Sequence, residues 1–202
     1  MPSQTAGRRR GTRDQILEAA RVIFMGDGNH RFSMRRLAAM SGCAVGTIYV
    51  HFKSKEEVSR ALVEQSFARL FHALSGLMNR HQNGDPVILL KKGLYTYIEF
   101  GLRNANDYRF AFDSPEYCGM QSVLETIRFM VRRCVEEHRF RCVDDEIVAQ
   151  ALWAAIHGIT SVLIQTQIIP GTTRAKVIEQ VIHSAVDNLL VAPLLASARE
   201  AG

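Results

Sequence analysis

The chain has 202 residues, 47% hydrophobic and 22% charged, a balance typical of a globular protein that excludes disordered, collagen-like and disulfide-stapled chains. The net charge is +5, and the first 60 residues carry 11 Lys+Arg against 5 Asp+Glu, while the remaining 142 carry 14 against 15. This asymmetry predicts a polyanion-binding N-terminal module on a neutral body, with a solvated basic face as the alternative.

Hydrophobic spacing, caps and turn residues predict helices throughout, and so an all-α fold. Thr12 with Gln15 predicts a capping box at the first helix, Ser33 a cap on the second, and Ser54 with Glu57 another capping box. Residues 104–115 are predicted to be a broken, aromatic-rich stretch. The predicted helices run from Thr12 to Gly26, from Ser33 to Ser41, from about Ala44 to His51, from Ser54 to about Arg80, from Pro86 onward, from about Tyr117 to Glu137, from Asp144 to a stop at Pro170-Gly171, and from Thr172 or Thr173 onward.

We expect a cytoplasmic protein. The polar, arginine-rich residues 1–13 are not followed by the apolar segment of a secretory signal. Four cysteines without a C-x-x-C pair are typical of free thiols in a reducing compartment. Residues 147–173 carry no charge and are long enough to cross a membrane, but polar side chains such as Gln150 and His157 interrupt them. A helix buried in a soluble subunit or dimer fits this segment better.

The second and third helices, joined by Ser41-Gly42, predict a helix-turn-helix over residues 33–52, a unit that can place its second helix in the DNA major groove. That outline alone is common in all-α proteins. The run Gly46-Thr47-Ile48-Tyr49-Val50-His51-Phe52-Lys53-Ser54-Lys55-Glu56, however, resembles the signature of the tetracycline-repressor (TetR) family at every position that the signature specifies. Ile48 and Phe52 are expected in the domain core.

The resemblance implies a dimeric transcription factor, usually a repressor, made of three parts. These are a flexible basic arm (residues 1–9), a DNA-binding domain (10–70) and a helical effector-binding and dimerisation domain (71–202). The implied partners are a palindromic double-stranded operator, a second copy of the chain and a small-molecule effector, without a cofactor, a metal or a membrane. The implied DNA-binding residues are Ser33, Arg35, Val45, Gly46, Thr47, Tyr49, His51 and Lys55.

Departures from the family pattern bear on the operator sequence. Ala44 stands where the family often has a capping Ser or Thr, and the loss of such a cap costs about 1 kcal/mol. Val45 is apolar, so it would read a base by van der Waals contact, for example with a thymine methyl group. Residues 8–10 are three arginines that fit either a minor-groove arm or a solubilising tail.

A second resemblance lies in the C-terminal body. The run Trp153-Ala154-Ala155-Ile156-His157-Gly158 is similar to the Trp-x-x-x-His-Gly motif of one subgroup of the family. The family uses its last two long helices as a four-helix dimer interface, and both helices here carry apolar stripes. The implied dimer-interface residues are Leu152, Ile156, Ile159, Leu163, Ile178, Ile182, Ala185 and Leu189.

The effector pocket is defined less sharply. The family encloses an apolar cavity among its middle helices, where Gly93 and Gly101 would leave space or allow close packing. Few charges in this region predict an apolar or amphipathic effector. His157 has two interpretations: a hydrogen-bonded position in the core, or a contact with the ligand. The candidate ligand-binding residues, each of which also fits plain core, are Tyr97, Phe100, Phe110, Phe129, Trp153 and His157.

Two rival functions belong to other classes. One is a constitutive or architectural DNA-binding dimer without an effector, and the other is an enzyme that uses the helical body. No glycine-rich phosphate loop or H-E-x-x-H motif favours the enzyme, so no catalytic residues are assigned. Cys134, His138 and Cys142 recur every four residues, but without a second chelating pair free thiols are favoured over a metal site.

Overall fold

The structure, a computed structural model, describes residues 11–26, 32–113, 120–166 and 173–191. The predicted basic arm, Cys118 and the predicted helix stop at Pro170-Gly171 lie outside these ranges. Within them the chain is helical, which confirms the all-α prediction. The helices are α1 (Thr12–Gly26), α2 (Met34–Ser41), α3 (Val45–His51), α4 (Lys55–Arg80), α5 (Pro86–Arg103), α6 (Ala105–Asp113), α7 (Met120–Glu136), α8 (Asp145–Gln165) and α9 (Arg174–Asp187).

Short polar side chains begin several helices where the sequence predicts them. The Ser33 hydroxyl accepts a hydrogen bond from the Arg36 amide at 3.1 Å, and the Thr173 side chain caps α9. The Asp144 carboxylate accepts from two amides of the first turn of α8. Pro86 occupies the first turn of α5, behind a capping aspartate. These contacts satisfy amides that have no partner within the helix.

Three local predictions need correction. Gln15 forms no capping box with Thr12, because α1 already begins at Thr12 and the Gln15 side-chain amide donates to the Ser41 carbonyl at 2.9 Å. The box at Ser54 is half formed: Ser54 accepts from the Glu57 amide, but the Glu57 carboxylate accepts from the amide of Lys53. The stretch predicted to be broken contains α6.

The described residues fall into two compact units, one within residues 1–66 and 106–118 and the other within 67–105 and 119–202. The long helix α4 contributes to both units. The division within α4 falls between residues 66 and 67, near the predicted boundary between 70 and 71, and the first unit also includes nearly all of α6.

The core of the first unit is built from the apolar faces of α1 to α4. Phe24 of α1 stacks on Phe32 at 4.5 Å between ring centroids and contacts Phe110 of α6 at 4.9 Å. Beside these rings, Arg21 of α1 forms an ion pair with Asp107 of α6. The pair is largely desolvated, with 13% and 9% of the side chains exposed.

In the second unit, α5 packs against α7, α8 and α9 and carries the predicted buried stripe of Leu90, Leu94 and Ile98. Gly93 lies on this stripe, and a Cβ atom built there would be 2.7 Å from the Met130 methyl group. Of the two alternatives that the sequence leaves open at Gly93, free space and close packing, the structure therefore shows close packing against a side chain of α7.

Candidate nucleic-acid interface

The helix-turn-helix depends on two backbone positions. Gly42 ends α2 in the left-handed region (φ 67°), where side chains with a Cβ atom are disfavoured, and its amide donates to the Ala38 carbonyl. Ala44 is the N-cap residue that precedes α3, and its side chain makes no capping hydrogen bond. The amides of Thr47 and Ile48 both donate to the Ala44 carbonyl, so the turn passes directly into the short helix.

One face of α3 belongs to the core and the other is exposed. Ile48 is fully buried and Phe52 is 1% exposed, as predicted. Three other side chains of α3 are exposed: Val45, Tyr49 and Val50 are 40%, 46% and 72% exposed. A seven-residue helix that presents three large hydrophobic side chains is unusual for a surface in water alone, and such surfaces commonly mark binding sites.

The remaining predicted DNA contacts lie around this face. Arg35 and Gly46 are exposed, whereas Thr47 and His51 are half-buried. Ser33 is exposed but accepts the Arg36 amide as the cap of α2, so its first role is to hold the helix start. These residues come from α2, α3 and the turn before α2.

Cations surround the end of α3. The Lys53 ammonium group donates to the Tyr49 carbonyl at 3.0 Å, and the Lys55 ammonium group lies 5.7 Å from the Phe32 ring centroid. The Arg13 guanidinium lies 5.1 Å from the Phe52 ring centroid, a contact that sequence analysis missed. Both ring contacts have cation–π geometry, which helps to fix long side chains in place.

The charge of this segment has one sign. Between Asp27 and Glu56 the sequence contains Arg31, Arg35, Arg36, Lys53 and Lys55 and no acidic residue. The two glutamates that follow belong to the first turn of α4, where backbone and Ser54 hydrogen bonds lower the pKa of Glu56. The exposed face of α3 therefore lies within a basic segment, as binding to a phosphate backbone requires.

Three of the predicted pocket residues come together in the second unit. The Trp153 indole N–H donates to the Tyr97 hydroxyl at 3.1 Å, and the His157 ring stacks on the indole with 5.2 Å between centroids. Tyr97 is 1% exposed, whereas the other two are half-buried. Burial lowers the pKa of His157, so the neutral imidazole is favoured at this position.

The other three predicted pocket residues lie elsewhere. Phe100 lines a groove of about 570 Å³ between α4 and α5, and Phe129 lines one of about 470 Å³ between α4 and α7. Phe110 packs on Phe24 in the core of the first unit, so its assignment to the pocket is corrected. These three phenylalanines thus lie at different places in the structure, because the helices packed around each one decide which of its faces is covered.

The predicted dimer-interface residues need a similar correction. Leu152, Ile156, Leu163, Ile178 and Ile182 are at most 5% exposed within one subunit, so they pack in its own core. Ile159, Ala185 and Leu189 are half-buried. The exposed residues of α8 include Ile147, Ala151, Ala154, Gly158 and Val162, which follow one another at helical spacing.

The cysteine and histidine run does not form one face. Cys134 is fully buried, and burial raises the pKa of its thiol to about 12. Cys142 is exposed, and His138 lies in the turn after α7 with a φ of 55°. Within the described residues, no group of three or more potential ligands could hold a metal ion.

One helix in the described part of the chain, α8, is long and apolar enough to cross a membrane by length and composition. Its first turn carries Asp145, which pairs with Arg128 and Arg132 of α7 at 3.2 and 2.8 Å. Its buried face packs against α5, α7 and α9. These contacts are those of a helix within a protein subunit.

Comparison with known proteins agrees with the helix-turn-helix. The family model described as bacterial regulatory proteins, tetR family, matches residues 16–62. The HTH-type transcriptional regulator UidR of Escherichia coli K12 is 37% identical over 70 residues, which cover 33% of this chain and 36% of UidR. The nucleoid occlusion factor SlmA of Photorhabdus laumondii is 22% identical over 173 residues, which cover 79% of this chain and 86% of SlmA.

A solved structure shares the fold beyond the helix-turn-helix. The TetR family transcriptional regulator PfmR from Thermus thermophilus has a TM-score of 0.65 at 21% identity, with 85% of this chain and 97% of PfmR covered. Its fold similarity therefore includes the C-terminal helices as well. With the signature in α3 and α4 and the family match over residues 16–62, it follows that the DNA-binding domain of this chain is that of the TetR family of bacterial regulatory proteins.

Proposed function

We propose that the protein is a homodimeric repressor that binds a palindromic operator and is released from it by a small apolar or amphipathic ligand. The observation that carries the DNA-binding part is the exposed face of α3, which presents Val45, Tyr49 and Val50 within an acid-free basic segment. A helix of this kind fits the major groove, where bases are read by hydrogen bonds and apolar contacts.

Within this proposal the residues around α3 divide into two roles. Tyr49, His51 and Lys55 bind phosphates of one strand, and Ser33 and Arg35 bind the flanking backbone. Val45, Gly46 and Thr47 face base edges. The support for this division is the position of the cations at the helix end and of the apolar residues on its exposed face.

For dimerisation we propose the exposed face of α8. Ala151, Ala154 and Gly158 are small, so the backbone of a partner helix can approach closely, and Ile147 and Val162 add apolar area at either end. A two-fold axis through this face would make the contact self-complementary, as a palindromic operator requires. The same face accounts for the apolar composition of α8 in a cytoplasmic protein.

For the effector we propose a site that includes Trp153 and His157, since both are half-buried and join an apolar surface to polar atoms. No catalytic role is assigned.

A constitutive DNA-binding dimer is the second candidate, favoured by the Met130 side chain that fills the space at Gly93.

Selection of random duplex DNA by the purified protein at near-physiological salt tests the main proposal. We expect enrichment of an inverted repeat, bound with a strong salt dependence. The variant Tyr49→Ala/His51→Ala should weaken binding, whereas Lys55→Ala should weaken binding and also reduce the salt slope by roughly 0.9, because it removes one cation that neutralises a phosphate. Lys176→Ala, an exposed cation on α9, is the matched control and should leave both unchanged.

Three results would contradict these assignments. Recovery of DNA without a shared sequence would contradict a sequence-specific operator. An unchanged affinity in the double variant would remove Tyr49 and His51 from the phosphate-binding residues, and an unchanged salt slope in Lys55→Ala would remove Lys55. The effector part is separate: amphipathic compounds that change Trp153 fluorescence yet never lower operator affinity would favour the constitutive dimer.

A further inference from the structure

Val50 has the most exposed large hydrophobic side chain among the residues that the structure describes, at 72%. It lies on α3, whose other face carries the fully buried Ile48. An apolar side chain this exposed buries little surface within its own subunit, so hydrophobic burial there does not explain it. Sequence analysis left it out, because the family signature does not specify this position; the signal that would have found it is its spacing from Gly46.

Gly46 precedes Val50 by four residues and therefore lies one turn away on the same face of α3. A Cβ atom built at Gly46 would meet no atom within 4 Å, so packing within the chain does not require a glycine there. Side chains of a helix lean toward its N-terminus, which brings the Val50 methyl groups over the bare backbone of Gly46. We call this depression, with Gly46 as its floor and Val50 as its wall, the Gly46–Val50 notch.

Neither residue suits a short, exposed helix. Glycine and β-branched valine are both poorer helix formers than alanine, and α3 has only seven residues and an uncapped start. The helix thus carries two unfavourable residues at neighbouring surface positions. A contact outside the chain explains both, because glycine allows close approach and valine offers methyl groups.

The surroundings of the notch indicate what the contact is. The segment between Asp27 and Glu56 is basic and free of acidic residues, which is complementary to the DNA backbone. The apolar feature in the major groove is the C5-methyl group of thymine. We propose that the Gly46–Val50 notch receives a thymine methyl group and so selects a T·A pair at one position of each half-site. This inference rests on the proposed entry of α3 into the major groove.

Replacing each operator thymine by deoxyuridine tests the inference, because it removes the methyl group and leaves the base-pair hydrogen bonds. At one position per half-site, the wild type should lose about four-fold in affinity, the effect of one methyl-sized group. Val50→Ala should bind the thymine operator about four-fold more weakly and should not respond to deoxyuridine at that position. Val22→Ala, an equivalent change at a 54% exposed position on α1, is the control and should respond as the wild type does.

A second variant separates the notch from valine alone. Gly46→Ala fills its floor and should lower affinity for the thymine operator while raising the melting temperature, since alanine is the better helix former. If replacing thymine by deoxyuridine lowered the affinity of the wild type and of Val50→Ala equally at every operator position, the inference would be overturned and the proposed function would stand. Absence of any enriched operator would overturn both.

Discussion

His157 is a histidine of the second unit whose protonation is tied to its burial. Its ring stacks on Trp153, and burial lowers its pKa. The unfolded chain, with an ordinary histidine pKa of about 6.5, therefore binds a proton more readily than the folded chain does. Between the folded and unfolded pKa values the free energy of unfolding rises with pH, so acidification through about pH 6.5 destabilises the folded state.

When the pH is lowered from about 7.5 to about 5.5, a range that brackets the ordinary histidine pKa, we expect the free energy of unfolding to fall less in His157→Gln than in the wild type. Denaturant unfolding followed by the fluorescence of Trp153, the one tryptophan of the chain, measures the difference. His72→Gln, at an exposed position of α4, serves as the control and should keep the wild-type slope. An identical slope in His157→Gln and the wild type would show that the imidazole does not contribute to the pH dependence.

Among the helices, α6 shows which features nearby residues predict and which depend on residues distant in the chain. Caps such as Ser33 and Asp144 were predicted because the donor and acceptor lie within three residues of each other. The helix α6 was predicted to be a broken stretch, since its aromatic residues follow no clear stripe when the partner is unknown. Its partners are Phe24 and Arg21 of α1, 86 residues earlier in the chain.

The ion pair between α1 and α6 leads to a prediction about stability. Asp107→Asn removes the carboxylate closest to the Arg21 guanidinium in a largely desolvated position and leaves only the exposed Glu18 carboxylate at 3.8 Å, so we expect a loss of about 3 to 5 kcal/mol in the free energy of unfolding. Arg103→Gln, which breaks an exposed pair with Glu99, should cost no more than about 1 kcal/mol. Chemical denaturation of both variants makes the comparison.

The double variant Arg21→Met/Asp107→Leu keeps the packing volume and removes both charges. It should recover most of the stability lost in Asp107→Asn, because neither partner is then left as a buried charge. A loss in Asp107→Asn no larger than that in Arg103→Gln would mean that water or other groups satisfy Arg21, and that the pair does not hold α6 to α1.

For the whole molecule, the exposed face of α8 predicts the oligomeric state. Ala154→Glu places a charge in the centre of this face without disturbing the core, since Ala154 is exposed in the single subunit. We expect the wild type to sediment at twice 22.7 kDa and the variant to sediment as a monomer with weakened operator binding. Ala68→Glu, at an exposed alanine of α4, is the control and should remain dimeric. A dimeric Ala154→Glu would place the interface elsewhere.

The sequence by itself determined the helical fold, most helix starts and the DNA-binding signature of residues 46–56, because each depends on residues within a few positions of one another. Only the tertiary structure decided which apolar residues remain outside. It buried Leu152 and Ile156 of α8, left Ala154 exposed, separated Phe110 from Trp153 and exposed Val50. The physical reason is that a hydrophobic stripe fixes the faces a helix can bury, whereas the helices packed against it fix the face it does bury.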